Sequence, residues 1–114
     1  MNGYESLKKN SDFSYVYKNG KSYANKYLVM YVIENRTDMN RVGISVSKKV
    51  GNSIVRHRLT RIIRESVRLN GAKLLYGYDI VIIARANLKG KGYAEAASAF
   101  MHLCGMHGIV DCNS

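Results

Sequence analysis

The chain has 114 residues, enough for one compact domain and too few for two. With 46% hydrophobic residues it can bury a core, which argues against global disorder. It contains no apolar run near the roughly 20 residues that span a bilayer, no signal-peptide pattern, and too few cysteines for a disulfide framework, so we expect a cytoplasmic protein. Eighteen Lys and Arg against eight Asp and Glu give a formal net charge of +10. This charge predicts a polyanionic partner, nucleic acid before an anionic membrane surface.

Hydrophobic periodicity predicts a single α+β domain spanning residues 1–114, with the order α-β-β-α-β-α. Apolar side chains at i, i+3 and i+4 indicate a first helix that ends at Gly20, and β-branched and aromatic runs indicate three strands. We expect one sheet covered by helices, a small two-layer sandwich. The predicted elements are a helix over 11–19, strands over 26–34 and 41–47, a helix over 52–69, a strand over 78–86 and a helix over 93 to about 106.

The second predicted strand has two unlike faces. Val42, Ile44 and Val46 share one face, whereas Arg41, Gly43, Ser45 and Ser47 share the other. Because the second face is small and polar, it is better suited to leave room for a partner than to pack a core.

The helix over 52–69 separates into an apolar and a basic side when its residues are placed about 100° apart. The apolar side, expected to pack on the sheet, contains Val55, Leu59, Ile62, Ser66 and Leu69, with Ile63 at its edge. The opposite side, which we call the arginine ridge, consists of His57, Arg61, Arg64 and Arg68, flanked by Arg56 and Arg58.

A solvated surface is the ordinary explanation for a charged helix face, but such faces usually mix charges of both signs. Here Glu65 is the only acid among five arginines. Arginine also grips phosphate oxygens bidentately and stacks on bases, which lysine does not. The pattern therefore favours contact with nucleic acid.

The turn before this helix contains Lys48, Lys49, Gly51 and Asn52. Backbone amides at a helix start, with two lysines nearby, form a natural seat for a phosphate. A plain strand-to-helix turn explains the same residues equally well, and no Walker-type pattern is present.

The run from Val42 to Arg68, above all SKKVGNSIVRHRLTRIIRE, resembles the signature of the bacterial ribonuclease P protein subunit family, which has an Arg-Asn-Arg motif in this stretch. Further similarity lies in the helix with Phe13 and Tyr17, in residues 25–31, and in the sequence IIAR at 82–85. The resemblance covers residues 7–104 and leaves 105–114 unassigned. His57 replaces the family's Asn, so we expect RNA binding to vary mildly with pH near neutrality.

The resemblance implies an α-β sandwich with a left-handed βαβ crossover, although general topology rules favour the right-handed form. It implies a protein that binds the catalytic RNA of ribonuclease P, one protein to one RNA, while that RNA and its Mg²⁺ ions remove the 5′ leader of precursor tRNA. The protein then holds no tightly bound metal and no catalytic residue. The residues expected to bind the RNA subunit are Lys48, Lys49, Asn52, Arg56, His57, Arg58, Arg61, Arg64 and Arg68.

The family's leader site lies between the first helix and the sheet. The residues expected there are Phe13, Tyr17, Tyr27, Tyr31, Ser45, Ser47 and Arg85. Aromatic rings stack on single-stranded bases without regard to sequence, as a site for varied leaders requires. For any one ring, ordinary core packing is an equally good explanation, and most of all for Phe13, which has no polar group.

No constellation of residues suited to cutting RNA is present. The set His102, Cys104, His107 and Cys112 has irregular spacing for a zinc site, and a buried cysteine with exposed histidines is the favoured interpretation. Two other functions remain open on the sequence: a ribosomal or translation-associated RNA binder, and a DNA-binding or membrane-surface protein.

Overall fold

A computed structural model describes residues 4–111, and all six predicted elements occur in it in the predicted order. Two short strands, β1 and β2, are additional. The elements are β1 (Tyr4–Ser6), α1 (Asn10–Asn19), β2 (Lys21–Ala24), β3 (Leu28–Glu34), β4 (Asn40–Ser45), α2 (Ser53–Asn70), β5 (Tyr78–Ala84) and α3 (Tyr93–His107). Short 3-10 turns follow α2 and β5.

The five strands form one sheet in the order β1-β4-β5-β3-β2. β4 lies parallel to both β1 and β5, whereas β3 is antiparallel to β5 and β2. Because β4 and β5 are parallel neighbours joined through α2, they form the βαβ unit to which the expected left-handed crossover refers. The two unpredicted strands are the edges of the sheet, and their shortness limits the backbone open to pairing with another chain.

Both faces of the sheet are covered, which explains why β3 is apolar on both sides. Leu28, Met30 and Val32 enter a larger core beneath α2 and α3. Tyr31 and Ile33, which alternate with them, face a smaller core that is closed by Val16 of α1. The sheet with α2 and α3 forms the expected two layers, and α1 adds a partial layer on the other face.

α1 ends at Asn19 and is capped by Gly20, the predicted stop, where only glycine fits the close approach of the chain. The Gly20 amide donates to the Val16 carbonyl at 2.8 Å. A β-carbon on Gly20 would lie 2.6 Å from that same oxygen. The chain therefore leaves the helix and enters β2 at the next residue.

The buried side of α2 differs from the one predicted. Leu59 and Ser66 are buried as expected, but Leu69 is 51% exposed, and Ile63, Val67 and Asn70 are buried in its place. The buried side is thus rotated by roughly half of one residue step of about 100°. The rotation follows from packing, since α2 lies against α3 as well as against the sheet.

Residues after α3 return to the core. Ile109 is buried, and its carbonyl accepts a hydrogen bond from the Leu75 amide at 2.7 Å. The Asp111 amide donates to the Lys73 carbonyl at 2.8 Å. Part of the unassigned segment 105–114 therefore belongs to the fold. Within the described range, none of the helices combines the length and apolar character that crossing a membrane demands.

Candidate RNA interface

The arginine ridge lies on the solvent side of α2. All four of its side chains are exposed. His57, Arg61 and Arg64 form no ion pair with any residue in the range 4–111. The helix also has no acidic residue in its first turn. Three adjacent basic side chains thus form no ion pair within residues 4–111 that would offset their mutual repulsion, which is the arrangement of a surface that meets an anion.

Arg68 differs from the other members of the ridge because it pairs with Glu65. Its Nε donates to Glu65 Oε2 at 3.0 Å, and a second bond joins Arg68 Nη2 to Glu65 Oε1. The hydrogen bonds from Arg68 lower the pKa of the Glu65 carboxyl below its usual range. Both side chains are largely in water, so this pair adds little stability.

The two flanking arginines have different environments. Arg58 is exposed, and its Nη2 donates to the Lys91 carbonyl at 2.9 Å, which ties α2 to the segment before α3. Arg56 is only partly exposed, and its Nε is buried without a hydrogen-bond partner in the described structure. Arg56 precedes the buried Ile63 by seven residues, about two helical turns, so it begins on the core-facing side of α2.

One backbone hydrogen bond and one side-chain cap hold the turn between β4 and α2 in shape. The Val50 amide donates to the Ser47 carbonyl at 3.1 Å, and Asn52 Oδ1 accepts from the Val55 amide at 3.0 Å. The Asn52 oxygen is thus committed to capping the helix. Lys48 and Lys49 remain exposed, so they are the groups of this turn that are free to meet a phosphate.

Three of the predicted aromatic residues meet in one cleft on the α1 side of the sheet, which we call the aromatic cleft. The Tyr17 ring stands edge-on to the Tyr31 ring, with centroids 5.1 Å apart at an interplanar angle of 75°. Phe13 follows at 6.4 Å from Tyr17. Tyr17 is 39% exposed, so part of its ring is available to a partner.

The floor of the aromatic cleft follows from the strand register. Gly43, Val81 and Tyr31 lie side by side across three strands, and α1 covers this row. The next row is Ser45, Ile83 and Val29. It is only half-buried. A mostly apolar strip thus continues along the sheet from the row that contains Tyr31.

Three residues predicted for the leader site lie outside this group. Tyr27 packs against the larger core, on the α3 side of the sheet, with Lys26 Nζ 5.5 Å from its ring centroid. Ser47 lies beyond the end of β4 and is exposed. Arg85 directly follows β5 near the end of the floor, where its Nη1 donates to the Asn25 carbonyl at 3.0 Å.

Val29 and Ile83 were not predicted to belong to the cleft. A signal for them existed, because β3 and β5 are apolar on both faces. On those strands every second residue faces α1, and a helix as short as α1 cannot cover all of them. The small, polar face of β4 was the clearer signal, since Gly43 and Ser45 lie where the cleft needs room.

An ion-pair network supports the other end of the same face. Arg41 Nε donates to Asp79 Oδ1 at 2.8 Å, Arg41 Nη2 to Oδ2 at 2.6 Å, and Asn35 Nδ2 to Oδ1 at 2.9 Å. Burial alone would raise the pKa of Asp79, but these hydrogen bonds outweigh burial and lower that pKa below its ordinary value. Arg41 also approaches Asp12 of α1 at 3.8 Å, so the network joins α1 to the sheet.

The described residues do not form a metal centre. Within 4–111, no group of three or more His, Cys, Asp and Glu side chains is near enough together to hold an ion. His107 Nε2 lies 2.9 Å from the Met30 carbonyl, and His102 Nδ1 lies 3.1 Å from Asn25 Nδ2. Cys104 is buried, and that burial raises the pKa of its thiol to about 12. Cys112 lies outside the described residues.

The chain resembles known proteins over nearly its whole length. The family model described as Ribonuclease P matches residues 1–107. The ribonuclease P protein component of Lachnoclostridium phytofermentans is 63% identical over 106 residues, covering 93% of this chain and 91% of the relative. That of Clostridioides difficile is 52% identical over 104 residues, covering 90% and 91%.

Solved structures agree with this assignment. The Staphylococcus aureus RNase P protein superimposes with a TM-score of 0.85 at 36% identity, covering 93% of this chain and 97% of that one. The Thermotoga maritima RNase P protein gives a TM-score of 0.82 at 32% identity, covering 90% and 96%. With the ridge, the cleft and the fold all in place, the chain belongs to the ribonuclease P protein family.

Proposed function

We propose that this chain is the RNA-binding subunit of a bacterial ribonuclease P, in a complex of one protein with one RNA. It binds the catalytic RNA through the arginine ridge and the lysines of the β4–α2 turn. The aromatic cleft holds the 5′ leader of precursor tRNA, and the holoenzyme cuts that leader off to give the mature 5′ end. The observation that carries this proposal is the basic surface of His57, Arg61 and Arg64, which form no ion pair within residues 4–111, on a chain of this family.

The protein and the RNA have different roles in this proposal. Within residues 4–111, no group of three or more His, Cys, Asp and Glu side chains is close enough together to hold a metal ion. In keeping with the family resemblance, we assign the hydrolysis, and the Mg²⁺ ions that support it, to the RNA subunit. The protein contributes positive charge and stacking surface, which lower the salt and magnesium that two polyanions need in order to associate.

The cleft has the properties that a leader site needs. A leader varies in sequence, so its site should use contacts that every base offers. Tyr17 and Tyr31 offer ring surface, and Val29 and Ile83 offer apolar floor. Ser45 and Arg85 supply polar groups at the strand ends without a dense pattern of donors and acceptors that would select one base.

A reconstitution assay tests the proposal. A bare bacterial ribonuclease P RNA is combined with precursor tRNA at a Mg²⁺ concentration too low for the RNA alone, and 5′ cleavage is followed on a gel. Adding the wild-type chain should restore cleavage at the mature 5′ end. Arg61→Ala should restore less, whereas Lys21→Ala, which removes an equal charge from the exposed edge strand β2, should match the wild type.

Absence of any rescue would contradict the proposal. Co-sedimentation of the chain with ribosomes, together with failure to rescue, would favour a ribosomal RNA binder instead. Equal rescue by Arg61→Ala and wild type across a range of salt concentrations would remove the ridge from the interface while leaving the subunit assignment intact.

A further inference from the structure

An apolar groove runs along α2 beside the arginine ridge. It encloses about 1060 Å³ between the outer side of α2 and the start of α3. Its apolar surface comes from Ile54, Ile62, Leu69 and Tyr93, and its polar rim from His57, Arg58, Arg61 and Glu65. The groove and the ridge therefore share His57 and Arg61, and a partner bound to one touches the other.

The groove exposes large apolar side chains to water, which is unfavourable in free energy. Ile54 is 78% exposed, Leu69 is 51% exposed and Tyr93 is 39% exposed. Single exposed apolar residues are common on protein surfaces, but several in one concave site mark a place where a partner binds. The sequence pattern predicted that Leu69 faces the core. Its exposure results from the way α2 packs against α3 and the sheet.

Hydrogen bonds fix the walls of the groove. Arg58 Nη2 donates to the Lys91 carbonyl at 2.9 Å and closes the end near the start of α3. The buried Asn70 lies with its Nδ2 3.4 Å from the Tyr93 hydroxyl, and the Gly92 amide donates to Glu95 Oε1 at 2.9 Å. A partner thus meets a surface that is already formed, which reduces the ordering cost of binding.

Charge decides what kind of partner fits. The rim has three basic side chains and one acid, Glu65, whose carboxylate is tied to Arg68. A second copy of this chain, with its net charge of +10, would bring like charges together. A nucleobase has apolar faces for the groove, and the phosphates on either side of it are anions for Arg58 and Arg61.

We propose that the apolar groove takes an unpaired nucleobase of the RNA whose phosphates lie on the arginine ridge. This inference rests on the proposed function and adds to it a contact that does not depend on salt. The base stacks among Ile54, Leu69 and Tyr93, while the ridge holds the adjoining backbone. The RNA is then recognised by an extruded base as well as by its charge.

The test is a double variant, Ile54→Ala with Leu69→Ala, bound to ribonuclease P RNA across a series of salt concentrations. Alanine favours helix, so α2 should remain folded. We expect affinity to fall about tenfold at every salt concentration, with an unchanged dependence on salt, because the two substitutions remove apolar surface that the base would cover. Met106→Ala is the matched control, because Met106 is 42% exposed on α3 and outside the groove.

Chemical probing of the RNA provides a second measurement. With wild-type protein, one or a few unpaired bases should become unreactive to base-modifying reagents. They should regain reactivity with the double variant, while backbone protection along the ridge persists. Double-variant affinity equal to wild type, or a loss accompanied by a changed salt dependence, would overturn the proposal.

The remaining outcomes are also decisive. A wild-type chain that binds no ribonuclease P RNA would sink the proposed function, and the groove assignment with it. A wild-type chain that binds the RNA normally beside an unaffected double variant would sink the groove assignment alone. A sedimentation shift from dimer to monomer in the double variant, without a change in RNA affinity, would assign the groove to a second copy of the chain.

Discussion

The ring of Phe13 lies directly on the backbone of Gly43. A β-carbon added to Gly43 would lie 2.5 Å from Cζ and 2.6 Å from Cε1 of that ring. This contact sets how close α1 lies to the sheet and hence the width of the aromatic cleft. Phe13 is thus part of the packing that forms the cleft, as well as a ring at its edge.

Gly43→Ala should therefore widen the cleft and destabilise the fold. Overpacking of this kind costs about 1–3 kcal/mol, and thermal unfolding would measure it. Affinity for precursor tRNA should fall with it. Gly105→Ala is the control, because that position in α3 has no atom within 4 Å of the added carbon and should gain up to about 1 kcal/mol from helix propensity. A Gly43 variant as stable as wild type would show that α1 is free to move.

Tyr17→Ala and Tyr31→Ala should each weaken binding of precursor tRNA by about 1–3 kcal/mol, because each removes ring surface from the cleft. Affinity for mature tRNA, which has no leader, should remain unchanged. Tyr15→Ala is a matched control on the same helix, since Tyr15 is 57% exposed and outside the aromatic group. Competition binding with the two tRNAs makes the comparison. Equal losses for both would mean that the rings only support the fold.

Arg61→Ala and Arg64→Ala should each flatten the salt dependence of RNA binding. Each loss of a phosphate contact should reduce the slope of log affinity against log salt by about one. Arg68→Ala is expected to change the slope less, because Arg68 already pairs with Glu65. Filter binding at four or five salt concentrations would measure these slopes. An unchanged slope for Arg61→Ala and Arg64→Ala together would contradict contact between the ridge and RNA.

The Arg41–Asp79 pair should make stability depend on acid pH. In the folded protein, the pKa of Asp79 lies below its ordinary value of 3.8. The stabilisation that the pair provides is therefore fully present above pH 3.8, and it is lost as the pH falls through the lower pKa of the folded state. Asp79→Asn should cost about 1–3 kcal/mol near neutral pH, less than for a fully buried pair because Arg41 is 37% exposed. Urea unfolding from pH 7 to pH 2 would measure it, with Asp38→Asn in an exposed turn as control. A variant that loses stability in acid as steeply as wild type would assign the acid sensitivity to other groups.

The sequence predicted the main helices and strands because each has strong periodicity. The edge strands β1 and β2 were missed, since three or four residues carry too little pattern. The buried side of α2 was misjudged because apolar residues such as Ile54, Ile62 and Leu69 extend around much of its circumference. Which of them is covered depends on where α3 packs, and helical periodicity does not contain that information.

In the candidate site too, periodicity predicted some residues correctly, and others depended on tertiary packing. Side chains in the middle of regular elements, such as Arg61 and Tyr31, lie on the faces that periodicity predicts. Tyr27 does not, because it precedes β3 and the alternation of the strand does not extend to it. Arg56 was expected beside the ridge, yet its Nε is buried. Arg56 lies two turns before Ile63 and so on the core side of α2. The burial of its Nε could be predicted only once the core side of the helix was known.

The arginine ridge and the aromatic cleft lie on opposite sides of one sheet, so neither obstructs the other. The sheet fixes both the distance and the angle between them, and no flexible linker intervenes. Under the proposed function, a leader bound in the cleft would be presented to the catalytic RNA as though the reaction were intramolecular, at a high effective concentration. Changes that loosen the sheet should therefore reduce cleavage even where each RNA still binds normally on its own.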